Sequence, residues 1–326
     1  MSMDVSRRSV FAAPLLASGI GVQAQAQQPT LVEVGTQGWL FPVWDRVARV
    51  DLATLRISLQ PIVEAIGVLR AARIQVAICL IPSKKRLMRQ FLPAGAAVSP
   101  DAAQRYSLTL SESQRAGALV PDLDVLFRER IQRDPSRPLF FQTDTHWTPI
   151  GAEVAAVEIA RQMRASFQFP VSSRPGTRLG DMRPMVLASG DLTPYLTAAQ
   201  RRSFGPEESL IRQILAAEGP GALLEDDSHD TVVVGTSNVQ PRFGFQPVLS
   251  NQLVRPVGLS WRPNNVGPYF ALLEYVRSEA FRRQRPHALV WNHLEQDVLS
   301  PTNNPAWGTG AVAPAEFLSQ LRRAVA

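Results

Sequence analysis

Apolar positions along this chain follow two periods. Over residues 52–72 they recur at Leu55, Leu59, Ile62, Val63, Ile66 and Leu69, the spacing of one helix face. Residues 74–81 are an apolar run broken only by Gln75, which predicts a strand buried on both faces of a parallel sheet. The alternation then repeats. Residues 125–132 read as a short helix stopped by Asp134-Pro135-Ser136, and Leu139-Phe140-Phe141 as a strand. Pro149 opens an Ala-rich helix over 150–164, since proline at a first helical position loses no needed donor. Val232-Val233-Val234 predicts a buried strand, 246–253 a helix and 254–259 another strand. Residues 269–282 are amphipathic and helical, 288–291 form the last clear strand, and 315–324 a covering helix. Strands alternating with helices predict an α/β domain of three layers with a mainly parallel sheet.

The stretches between are less regular. Gly38-Trp39-Leu40-Phe41 reads as an edge strand or a packed aromatic corner. Residues 94–118 are helix or loop, and 117–123 a short strand and turn. Lys84, Lys85, Arg86 and Arg89 read as a solvated helix face, with Lys84 a candidate to grip an acidic substrate. Residues 170–180 are polar loop, and one helix is expected within 198–215. The whole of 170–225 is expected to be a lid or insertion beside the site.

The candidate chemistry lies at two turns. In Asp144-Thr145-His146-Trp147 a carboxylate sits two residues from an imidazole, just before a helix start. A carboxylate can hold an imidazole in one tautomer and stabilise its charged form, as a general base requires. An N-cap aspartate beside a hydrogen-bonded histidine is the plainer alternative. The nucleophile is Ser237 in Gly235-Thr236-Ser237, at the carboxyl end of the 232–234 strand, where open α/β sheets place ligands. Its plain alternative is a turn. Trp147 either stacks on a sugar ring or packs in the core. Beside the Ser237 N–H, an oxyanion needs a second donor, for which Asn265 and the Gly267 backbone are candidates. His287 and His293 are expected to be structural or surface residues.

At these residues the chain resembles the alginate O-acetyltransferase family, whose catalytic domain is SGNH-hydrolase-like. Gly38-Trp39-Leu40-Phe41, Ile81-Pro82-Ser83-Lys84, Phe91-Leu92-Pro93, residues 144–152, Gly190-Asp191-Leu192, Gly235-Thr236-Ser237 and the closing segments 265–268 and 288–291 resemble its blocks, in its order. That order, with Asp and His before Ser, is circularly permuted relative to ordinary SGNH hydrolases. Asn238 and Trp291-Asn292-His293-Leu294-Glu295 depart from the pattern and bear on acceptor recognition. The resemblance implies transfer of acetyl groups, through an acetyl-serine, to an exported polysaccharide such as alginate or acetylated cellulose. It also implies a membrane-bound O-acyltransferase partner as acetyl supplier, and no cofactor. A periplasmic acetylesterase and a non-catalytic polysaccharide-binding or assembly protein are the alternatives.

Composition narrows this further. A chain of 326 residues, 45% hydrophobic and 19% charged, has ample core. A formal charge of +6 favours anionic partners. No basic cluster is interleaved with aromatics, which speaks against nucleic acid. The one cysteine, Cys79, lies in the apolar run 74–81 and reads as a buried thiol. Arg7-Arg8 before a modest apolar stretch and Gln23-Ala24-Gln25-Ala26 predict a twin-arginine leader over 1–26 and a periplasmic domain over 27–326, with a retained anchor as the alternative. The acidic run 225–230 fits neither a calcium loop nor a zinc spacing, so no metal is expected.

Overall fold

A computed structural model describes residues 31–216 and 229–326; the expected leader and most of the acidic run 225–230 lie outside them. The chain opens with a hairpin of β1 (Val32–Val34) and β2 (Leu40–Pro42). Helix α1 (Leu52–Ala71) leads into strand β3 (Gln75–Ile81), followed by α2 (Lys84–Leu87), α3 (Pro100–Arg115) and α4 (Leu123–Arg133). Helix α5 (Pro149–Ser166) precedes β4 (Leu179–Leu187), the single turn α6 (Ala198–Arg201) and β5 (Glu207–Ile214). The last third runs β6 (Thr231–Gly235), α7 (Phe245–Leu253), β7 (Gly258–Trp261), α8 (Gly267–Arg277), α9 (Glu279–Arg283), β8 (Ala288–Leu294) and α10 (Pro314–Val325).

Strands pair in the order β3-β8-β6-β7, all parallel. Successive side chains point to opposite faces of a strand, and the core divides accordingly. Ala77, Cys79, Ile81, Val233 and Val290 pack with α5 and α7 on one face. Val76, Ile78, Val232, Val234, Leu289 and Trp291 pack with α1, α8 and α10 on the other. The result is the three-layer α/β arrangement with a parallel sheet that the alternating pattern predicts.

Several local expectations change. The helix expected within 198–215 is the single turn α6, and β5 follows it, paired antiparallel with β4. This ribbon leans on the body of the domain, with Leu179, Met185 and Leu210 packed against the core and Arg212 paired with Glu153 of α5 at 3.0 Å. Residues 139–141 make only a bridge, Phe140 to Trp147, rather than a strand. The strand expected at 254–259 starts later, because Val254 adopts a left-handed φ of 55° that ends α7. The helix expected over 269–282 breaks at Ser278, whose hydroxyl caps α9 by accepting from Phe281 N at 3.2 Å.

The basic run after β3 is not a solvated face. Lys84, Lys85 and Arg86 are buried, and of the four expected surface charges Arg89 alone is exposed. Arg86 Nη2 and Arg105 Nε converge on the fully buried Glu295 at 2.7 and 3.0 Å, and Ser83 N donates to it at 2.7 Å. Arg105 also reaches Asp45 at 3.0 Å, and Arg86 reaches Asp124 at 2.5 Å. The network ties the carboxyl ends of β3 and β8 to α3 and α4. Glu295, which closes the segment that departs from the family pattern, is thereby a structural residue.

Candidate active site

The Asp144–His146 segment is the tip of a tight antiparallel turn. Phe141 N donates to His146 O at 3.3 Å and Thr148 N to Leu139 O at 2.9 Å, on either side of the Phe140–Trp147 bridge. Thr148 caps α5 by accepting from Gly151 N at 3.2 Å. Gly151 is required by proximity, since a Cβ there would lie 2.4 Å from Leu139 O. On the other side, β6 ends at Gly235, and residues 237–239 form a single 3-10 turn that presents Ser237.

Ser237 meets His146 across 91 residues of sequence, with Asp144 on the far side of the ring. His146 Nε2 lies 2.8 Å from Ser237 Oγ, and His146 Nδ1 lies 2.5 Å from Asp144 Oδ1. Asp144 Oδ1 also accepts from His146 N at 2.9 Å, and Oδ2 from Asp191 N at 2.9 Å. Burial alone would raise the Asp144 carboxyl. The hydrogen bond and charge of His146, with the two amides, outweigh it and hold the carboxyl at about 2. A carboxylate at Nδ1 assigns the proton to that nitrogen and leaves the Nε2 lone pair facing the serine hydroxyl. Phe243 stacks on the imidazole at 5.1 Å between centroids.

Lys84 supports this loop from below. Its Nζ donates to the carbonyls of Leu40, Gln142 and Asp144 at 2.8, 2.9 and 2.8 Å. Burial draws it down to about 7, opposed by the charges of Asp144, Glu207 and Asp191. Three acceptors match the three donors of an ammonium, so the charged form fits this cradle. Trp39 and Phe41 lie 5.3 and 5.5 Å from Nζ, which gives the Gly-Trp-Leu-Phe stretch its role: an aromatic wall over a buried cation. Lys84 therefore has no free donor with which to grip a substrate.

Two carboxylates that sequence reasoning missed complete the loop. Glu207, at the start of β5, accepts from Gln142 N at 2.6 Å, from Thr143 N at 2.8 Å and from the Thr143 hydroxyl. Asp191 accepts from Thr145 N at 2.7 Å and from its hydroxyl at 2.5 Å, and its Oδ2 lies 3.5 Å from His146 Nδ1. Burial and the charge of Asp144 raise the Asp191 carboxyl. Gly190 lets this segment close on the loop, for a Cβ there would lie 2.1 Å from Thr143 O. The Gly190-Asp191-Leu192 block was the available signal for Asp191; Glu207, in a polar stretch, carried none.

Other sequence candidates fall elsewhere. Trp147 is fully buried, donates from Nε1 to Asn238 O at 2.8 Å and stacks on Phe245 at 5.6 Å, so no face is open to a sugar. Gly267 N–H already donates to Asn264 O, and the residue's left-handed φ of 76° and the Trp307 ring against its Cα explain the glycine. Asn265 is exposed on the turn after β7. Because β6 and β7 end in register, Gly235 beside Trp261, that turn leaves the same end of the sheet as Ser237. His293 is buried and drawn down to about 3 by burial, and His287 is exposed on the surface. Asp144, His146 and Asp191 bring ligand atoms within 4.8 Å of one another. Their oxygens and Nδ1 already exchange hydrogen bonds with each other and with Thr145, so the set reads as a hydrogen-bonded carboxylate–imidazole cluster.

A parallel three-layer sheet with a serine at one strand end and an Asp-x-His turn before a helix defines an SGNH-hydrolase-like domain, with His before Ser in chain order. The family model described as "SGNH hydrolase-like domain, acetyltransferase AlgX" matches residues 32–295, and the chain belongs to that family. A probable alginate O-acetylase AlgJ of Pseudomonas fluorescens is 26% identical over 253 residues, 73% of this chain and 62% of that protein. The chain thus spans about three fifths of the length of such relatives. The O-acetyltransferase domain of Pseudomonas putida AlgJ superposes with a TM-score of 0.70 at 24% identity, over 89% of this chain and 98% of that one. Pseudomonas aeruginosa AlgX gives 0.64 at 19%, over 82% and 66%. At these identities the structural likeness speaks to the fold.

Proposed function

We propose that the chain is an exported O-acetyltransferase that carries an acetyl group on Ser237 and passes it to a hydroxyl of an extracytoplasmic polysaccharide. The observation that carries this reading is the 2.8 Å approach of His146 Nε2 to Ser237 Oγ, with Asp144 at the other ring nitrogen. His146 removes the serine proton as Oγ attacks the acetyl carbonyl carbon, and Asp144 stabilises the imidazolium. Collapse of the tetrahedral intermediate expels the donor's leaving group, which takes that proton. A sugar hydroxyl then gives its proton to His146 and attacks the acetyl-serine. Collapse returns Ser237, which recovers the proton. Ser237 N–H starts a 3-10 turn, where the turn itself supplies no acceptor, and so suits an oxyanion. Asn265 is the candidate second donor.

Alginate is the acceptor in the names of the relatives, and the formal charge of +6 suits a polyanion; a cellulose-type acceptor is the other candidate. The Arg7-Arg8 leader supports a periplasmic location for residues 27–326. Because acetyl-CoA belongs to the cytoplasm, a membrane-bound O-acyltransferase is the fitting acetyl supplier.

The test incubates purified protein with a chromogenic acetyl ester and acidic or neutral oligosaccharides, and scores acetyl-enzyme and acetylated sugar by mass spectrometry. Acetylated sugar that depends on Ser237 is the expected result. Ester cleavage with no sugar acetylated would make the chain an acetylesterase, and absence of an acetyl-enzyme would leave a binding protein. Ser237→Ala and His146→Ala should each reduce turnover to background, with the double variant little worse, because the residues act as one unit.

A further inference from the structure

Two large aromatic side chains lie open to solvent on segments that hold the Asp144–His146 loop. Trp44 is 42% and Tyr195 47% exposed, with ring centroids 6.3 Å apart and planes at 79°. The core beneath is closed without them, by Val32, Leu40, Leu192 and Leu196. Tyr195 follows Asp191 by four residues, a span of at most about 14 Å even when extended. It is drawn in further by Thr193 N donating to Gly190 O and Tyr195 N to Leu192 O. Trp44 follows Leu40 by four residues, and the Leu40 carbonyl shares the Lys84 ammonium with the Asp144 carbonyl. The tethers that position His146 therefore also position this aromatic pair.

The exposed charges that follow the two rings along the chain are mainly basic. Arg46 and Arg49 follow Trp44, and Arg201 and Arg202 follow Tyr195; all four are exposed, and none makes an ion pair with another of the described residues. An aromatic ring offers a flat apolar face to the C–H face of a pyranose. A guanidinium offers a fork of donors to a carboxylate. Alternating apolar ring faces and carboxylates are what a uronic-acid chain carries.

We infer that Trp44 and Tyr195, flanked by these arginines, form a docking platform for a polyuronate chain and feed its hydroxyls to Ser237. The inference rests on the acyl-transfer reading for its purpose, but binding is measured apart from turnover. Calorimetry with full-length Ser237→Ala protein and a mannuronic acid hexamer should give saturable binding that weakens as salt rises. Adding Trp44→Ala or Tyr195→Ala should weaken it about tenfold or more, as truncation of a central aromatic anchor does. Joint replacement Arg201→Gln and Arg202→Gln should flatten the salt dependence, and melting curves confirm that each variant is folded. Undiminished binding in both aromatic variants, equal binding of a neutral cello-hexaose, or no binding to the parent protein overturns the platform. Each of those outcomes leaves acetyl-enzyme formation at Ser237 untouched, whereas hexamer binding without any acetyl-enzyme keeps the platform and removes the transferase reading.

Discussion

His146 faces two carboxylates of different character. Asp144 is enclosed, held at about 2 and bonded to Nδ1. Asp191 is 39% exposed, lies 3.5 Å from the same nitrogen and is raised by burial and by its neighbour's charge. It gains its own charge at higher pH than an ordinary aspartate and then adds to the field that steadies an imidazolium. Asp191→Asn should leave some activity but move the acid limb of the kcat/KM profile to lower pH; an unshifted profile would make Asp191 a purely structural anchor. Trp147 was legible in the sequence as a marked residue but not in its role. Nothing in the one-dimensional pattern tells a ring packed at a helix start from one facing a sugar. The Nε1 bond to Asn238 O decides it. Trp147→Phe should cost about 1–3 kcal/mol in chemical denaturation by orphaning that buried carbonyl. It should also lower kcat more than it raises KM, because the carbonyl belongs to the Ser237 turn.

Elements whose apolar period is long and clean were readable: α1, β3, α5, β6 and α10 all fall within a few residues of expectation. The β4–β5 ribbon was not. Its residues are mostly exposed or half-exposed, so neither strand alternates cleanly, and Leu210, Ile211 and Ile214 mimic helical spacing. The basic run of α2 misled for a related reason. Charge in sequence signals solvent unless its partners are known, and here the partner Glu295 is more than 200 residues away. Glu295→Ala leaves Arg86 and Arg105 buried without their shared anion. Losing one member of such a network costs about 3–5 kcal/mol, to be read as a lowered urea midpoint with an unchanged slope. Gly190→Ala should instead act on the site, forcing the Asp191 segment away from Thr143; loss of turnover with a nearly normal melting temperature is expected.

At the scale of the molecule, the layered fold and the three residues that meet at the strand end were legible because Asp-x-His and Gly-Thr-Ser are both local. The supports from Lys84, Asp191 and Glu207 were not, since each joins segments brought together only by the sheet. The same folding buries Asp297, whose carboxyl is pushed up to about 7 by burial and by Asp45, against a hydrogen bond from Asn264. The carboxyl is neutral in the folded protein where it would be ionised in the unfolded chain. Its contribution to stability is complete below about pH 4 and is lost as pH rises through 7. Asp297→Asn should therefore lose less of its melting temperature between pH 5 and 8 than the parent; parallel curves would place the titration elsewhere.

On the acyl-transfer reading, an acetyl group held on Ser237 must not be lost to the protein's own nucleophiles. Lys84 is tied to the carbonyl of Asp144, two residues from His146, where on that reading an open amine would compete with a sugar hydroxyl and trap the acetyl group as an amide. Its three donors are instead spent on carbonyls beneath Trp39 and Phe41. The Cys79 thiol, pushed up to about 12 by burial, keeps its proton. On that reading, chemoselectivity for oxygen over nitrogen and sulfur follows from where the fold puts each nucleophile, not from their intrinsic reactivity.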